Sequence, residues 1–199
     1  MHPPRTLSPT ELTTFLARIS EVGPGPRLAA HFLLMTGCRL GEYLNLKWRD
    51  VLKLDFSPRA ELLVRAEWTK TGHQRTIPLP LELQDILLRF LDAFKRSGQP
   101  LPQLHYPLWP GDKEVGYKAR HLQDVFRVTG LACLNRVVTP HMLRHTYASN
   151  LLSISNTALV QLALGHKALS STQIYLHPSS TDLAAATDRL WSKLHTPPR

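Results

Sequence analysis

Proline and glycine cut this chain into short helical segments, and only one stretch between them reads as strand. Ser8-Pro9-Thr10-Glu11 is a capping box with proline at the first helical position, and the apolar spacing of LTTFLARI follows it. That helix ends near Gly23-Pro24-Gly25-Pro26. Pro26 can open a second helix, RLAAHFLLMT, which Gly37 closes. A third short helix is expected from about Arg39, carrying Glu42, Tyr43 and Leu46. Residues 61–68 (ELLVRAEW) and 75–79 (RTIPL) read as two short strands, with Gly72 suited to the turn TKTGHQ between them. An amphipathic helix over 82–97 stops at Gly98, and the proline-rich stretch 99–116 reads as a surface loop. Four helices follow, at about 117–129, 140–153, 157–164 and 181–195. Thr139-Pro140 and Asn156 mark two of the starts, Gly165 closes the third helix, and a short helical turn is expected near 170–175. The fold class is therefore α+β, mainly α, with a small antiparallel β-sheet near the middle.

A length of 199 residues suits one or one and a half ordinary domains, and 43% hydrophobic with 20% charged residues is ordinary for a globular chain. The net charge of +9 points to an anionic partner. Nucleic acid is the commonest large one, bound by counterion release. Charge alone leaves an incidentally basic protein as the other reading. Cys38 and Cys133 stand in no metal-binding spacing, which suggests neither structural zinc nor a disulfide framework. A reducing, cytoplasmic setting follows from that usage. No apolar run approaches the ~20 residues of a membrane span, and MHPPRTLSP lacks the apolar core of a signal peptide. No membrane role is expected.

Arg39, Lys70, His141, Arg144, His166 and Tyr175 could together carry out one kind of chemistry. A phosphodiester gains negative charge as it becomes pentacoordinate, and fixed cationic donors can stabilise it. Arginine's planar fork suits phosphate oxygens and stays charged. Each arginine taken singly could equally form a surface ion pair, Arg39 with Glu42 for example. His141 and Arg144 lie three apart on one helical face. His145, four from His141, raises a zinc alternative. The metalloprotease pattern needs a glutamate where Met142 stands, so His145 is read as packed or hydrogen-bonded in the core. His166 follows the glycine that ends a helix. Lys70 sits in the hairpin turn, from which it could donate a proton. Tyr175, nine residues past His166, is the candidate nucleophile. Its phenol is weak at neutral pH unless cations polarise the phosphate it attacks.

These segments resemble the boxes of the tyrosine recombinases of integrase and Xer type. TGCRLGE resembles the first arginine box and TKTGHQRTIPLP the β-hairpin lysine segment. HMLRHTYASNLL resembles the H-x-x-R box, and LGHKALSSTQIYLH the final histidine and nucleophile box. The resemblance runs from about residue 7 to residue 178. It implies the catalytic core of a DNA breaking-rejoining enzyme. Tyr175 would form a 3′-phosphotyrosyl bond to double-stranded DNA, and Arg39, His141, Arg144 and His166 would stabilise the transition state. Lys70 would protonate the leaving 5′-hydroxyl. No metal or other cofactor is implied, and a homotetramer on DNA would exchange strands through a Holliday junction. A prokaryotic, phage or mobile-element origin fits. Residues 1–199 would be one catalytic domain without the N-terminal clamp common in the family, either as a cut piece or as a natural single-domain enzyme. The helix at 181–195 carries an apolar stripe that could fold on its own core. The family suggests instead that it docks on a neighbouring protomer. Two rival functions remain: a non-catalytic DNA-binding regulator, and a type IB topoisomerase.

Overall fold

The computed structural model describes residues 6–69, 72–108, 119–165 and 179–194. Nine α-helices and one β-hairpin are seen among them. The chain runs α1 (Pro9–Val22), α2 (Pro24–Thr36), α3 (Leu40–Leu44) and α4 (Trp48–Val51), then β1 (Glu61–Val64) and β2 (Arg75–Pro78). It continues with α5 (Leu81–Arg96), α6 (Ala119–Leu134), α7 (Pro140–Ile154), α8 (Thr157–Leu164) and α9 (Ser180–Leu194).

Local signals set most of the boundaries. Ser8 Oγ accepts from the Glu11 backbone N–H at 3.3 Å, and Glu11 Oε2 accepts from the Ser8 N–H at 2.8 Å, which is the expected capping box. Thr139 and Asn156 cap α7 and α8 through their side-chain oxygens, at 3.2 and 3.0 Å. Gly37 and Gly165 end α2 and α8 in left-handed backbone.

Several boundaries differ from the sequence reading. Pro24 rather than Pro26 opens α2, because either proline satisfies the first turn. Leu46 lies beyond α3, whose C-cap is Asn45. α4 has one local signal, Asp50 accepting from the Lys47 backbone N–H at 2.8 Å, which the sequence reading passed over. It forms because Trp48 is buried and the Trp48 and Arg49 N–H groups reach the Tyr106 and Leu104 carbonyls at 3.1 and 2.8 Å. The first strand stops at Val64, and residues 66–68 form a 3-10 turn. There the Arg65 guanidinium lies 5.3 Å from the centre of the Trp68 ring. α6 runs to Leu134, past the expected end at 129. Gly130 inside it faces a crowded wall, since a Cβ there would meet the Arg136 carbonyl at 2.8 Å. The helical turn expected near 170–175 lies outside the described residues.

The hairpin pairs antiparallel in the register Glu61 to Pro78 through Val64 to Arg75. α2 is the hub. Its buried residues cover every face, and α1, α5 and α7 pack around it. α9 lies against β2, α7, α8 and α5, where Leu183, Ala186, Leu190 and Trp191 are buried. Those four side chains are covered by the chain's own core. No helix among the described residues is long and apolar enough to cross a membrane.

Gly37 illustrates how closely α2 and α7 approach. Its φ is 64°, and a Cβ there would collide with the Tyr147 ring. Gly37→Ala is expected to cost roughly 2–5 kcal/mol, the sum of left-handed strain and overpacking. Urea denaturation measures it, and a loss below about 1 kcal/mol would mean that the ring yields freely.

Candidate active site

α2 ends at Gly37, the chain turns through buried Cys38, and Arg39 becomes the N-cap of α3. From there the Arg39 side chain lines an open groove of about 810 Å³. His141 and Arg144 of α7 line the same groove. Across it, α6 contributes Arg120, Gln123, Asp124 and Arg127. Three of the six sequence-selected residues therefore meet around one space. Lys70, His166 and Tyr175 lie outside the described residues.

Arg144 is only 4% exposed. One terminal nitrogen donates to the Gly37 carbonyl and the other to the Leu164 carbonyl at 3.0 Å. Those carbonyls end α2 and α8, where helix dipoles place partial negative charge. One guanidinium thus ties the TGCR turn, the H-x-x-R helix and the LGH turn together. Burial, followed by repulsion from Arg39, pulls its pKa down to about 10, against the attraction of Glu42. It stays protonated at neutral pH, so the groove holds a fixed positive charge that water screens poorly.

Behind the groove, Glu42 is 1% exposed. Its carboxylate accepts from Arg75 at 3.0 and 2.7 Å, from the Arg39 backbone N–H at 2.8 Å and from the Arg39 guanidinium at 3.1 Å. Arg75 also donates to the Ala163 carbonyl at 3.2 Å. Its Cδ would lie 2.8 Å from any Cβ at position 165, which only glycine avoids. Two guanidinium groups therefore bond one carboxylate, and Arg144 is attracted to it from farther off, so the surplus charge is positive. Desolvation pushes the Glu42 carboxyl up, but the Arg75 hydrogen bonds and charge, with help from Arg39, hold it below the usual carboxylate range.

The sequence reading missed Arg75 and the α6 arginines. It treated the Arg39–Glu42 pair as an alternative to a phosphate role, whereas the pair is one edge of the network that holds Arg39 in place. The available signal was a charged pair, Glu42 and Arg75, in two of the recognised boxes. His145 is also corrected. It is only partly buried, and its Nε2 lies 2.8 Å from His141 Nε2. The core reading fails because α7 leaves this ring only partly buried, beside exposed His141.

The Glu42–Arg75 pair yields a stability prediction. The folded pKa of Glu42 lies below its unfolded value, so its contribution is complete above the unfolded pKa of about 4.3 and is lost as pH falls through the folded value. Arg75→Met should lower stability by about 3–5 kcal/mol, because a buried carboxylate loses its main partner. The same change should remove that acid limb. Denaturation at several pH values measures both effects. An unchanged acid limb would show that Arg39 alone governs Glu42.

Comparison with known proteins agrees with this geometry. The family model described as the phage integrase family matches residues 5–181. The tyrosine recombinase XerA of Pyrococcus furiosus is 32% identical over 190 residues, covering 94% of this chain and 62% of the relative. Among solved structures, a XerA recombinase superposes with a TM-score of 0.65 at 27% identity, over 100% of this chain and 67% of that one. The XerH site-specific recombinase bound to difH substrate, a pre-cleavage complex, gives 0.64 at 26% identity, over 92% and 53%. The chain spans less than two thirds of the length of the XerA relative it matches. The fold is that of a tyrosine recombinase catalytic domain, and the chain belongs to the phage integrase family.

Proposed function

We propose that this chain is the catalytic domain of a site-specific DNA recombinase that cuts and rejoins strands through a 3′-phosphotyrosyl intermediate. The observation that carries the reading is the convergence of Arg39, His141 and Arg144 on one positively charged groove. The family match and the DNA-bound state of the related XerH structure support it. The Tyr175 oxygen would attack phosphorus while the bond to the 5′-oxygen breaks, with Lys70 supplying the proton to that leaving oxygen. Arg39, His141, Arg144 and His166 would hold the non-bridging oxygens as charge builds. A 5′-hydroxyl of the partner strand then attacks the phosphotyrosine and releases the tyrosine. The bond energy is conserved at each exchange, so the residues need no nucleotide.

Double-stranded DNA is the proposed partner, in a homotetramer within a prokaryotic cytoplasm, with phage or mobile-element origin as part of the same reading. Residues 1–199 form one catalytic unit in this proposal. Any transfer of α9 to a neighbouring protomer must first uncover Leu183 and Leu190, at roughly 1.5–3 kcal/mol each, together with Trp191.

The test begins with a pool of nicked duplexes with randomised arms, from which sequences that trap the protein covalently are recovered. Two copies of a recovered sequence are then placed on a supercoiled plasmid. Recombination between the copies is the expected result. Relaxation without recombination would indicate a topoisomerase, and binding without any covalent capture would indicate a regulator.

A further inference from the structure

The contact between His141 and His145 has a consequence for which ring nitrogen can meet a phosphate. The two Nε2 atoms lie 2.8 Å apart, with ring centres at 4.3 Å and planes at 86°. At that separation one proton must sit between them. If His141 donated it and were neutral, its Nδ1 would be a bare acceptor and would repel a phosphate oxygen. If His145 donates it, the His141 proton resides on Nδ1, the only ring nitrogen left to face the groove. We propose that His145 is a positioning residue that fixes His141 as an Nδ1–H donor to the scissile phosphate. This rests on the strand-transfer reading above.

The surroundings favour a single shared proton. Arg144 lies on the same helix, Arg39 at the start of α3 lines the groove beside His141, and α6 presents Arg120, Asp124 and Arg127 to that groove. Among the described groups facing the groove only Asp124 is acidic. Desolvation, then His141 and Arg144, all disfavour charge on His145.

The experiment has two arms. Two-bond ¹H–¹⁵N correlation spectra of the histidine rings, taken without DNA at neutral pH, report tautomers independently of activity. The free protein should show His141 protonated at Nδ1, and His145→Leu should shift that proton to Nε2. The second arm is the rate of covalent capture on a nicked duplex at neutral pH. His145→Leu should cleave at least ~10-fold more slowly, as for loss of a partner that orients a histidine. His145→Gln, whose amide N–H can replace the donor, should recover most of the rate. Melting temperature and DNA affinity should change little in either variant. A wild-type His141 protonated at Nε2 would overturn the proposal, as would a His145→Leu rate equal to that of wild type. A rate loss matched by lost folding would reduce His145 to a structural role and overturn it too. Failure of the wild-type protein to capture any duplex would instead sink the strand-transfer reading, while the spectra would still decide the tautomer.

Discussion

Tyr175→Phe is expected to abolish covalent capture of nicked DNA while leaving DNA affinity nearly unchanged. Only one hydroxyl is removed, and the groove cations remain. The loss should reach the detection limit of a denaturing gel, because no alternative nucleophile is proposed for the reaction. Binding is read in parallel by gel shift. A residual adduct of wild-type mobility would move the nucleophile elsewhere.

Arg144→Ala should slow cleavage by about 10²–10³-fold, the usual cost of removing a preorganised donor to developing charge. It carries a second effect that a simple phosphate clamp would not. The Gly37 and Leu164 carbonyls lose their guanidinium partners, and leaving a buried acceptor unpaired costs about 1–3 kcal/mol. The variant should therefore melt earlier as well as react more slowly. Arg144→Lys should keep the charge yet recover little of either property, since one ammonium cannot span two carbonyls and a phosphate. Single-turnover cleavage and urea denaturation separate the two effects. A fully active Arg144→Ala enzyme with a lowered melting point would confine Arg144 to structure.

Helix starts were legible because their chemistry is local. The Ser8 capping box, the Thr139 and Asn156 caps and the glycine stops at 37 and 165 all lie within a few residues of the ends they set. Apart from Asp50, α4 was not legible, because its first N–H groups are satisfied by carbonyls more than fifty residues away. The strand over 61–68 read too long for a related reason. Alternation continues through Trp68, but Arg65 turns back over that ring, and the backbone bends with it. In the site, Arg39, His141 and Arg144 were found from residue type and context. Arg75 was hidden, because a strand pattern does not reveal that Glu42, 33 residues earlier, is buried and requires a partner. His145 was misread because helical periodicity gives a residue's face but not the ring that meets it. The stripe on α9 was visible, while the burial of Leu183, Ala186, Leu190 and Trp191 against β2, α7 and α8 follows from the tertiary fold.

In the proposed reaction Tyr175 attacks a phosphodiester held by the groove cations. The most direct test is to digest the wild-type protein after capture on a nicked duplex and sequence the DNA-linked peptide by mass spectrometry. The expected result is a single peptide joined through Tyr175 to a 3′-phosphate, with a free 5′-hydroxyl on the released strand. A linkage through any other residue, or through a 5′-phosphate, would contradict the account.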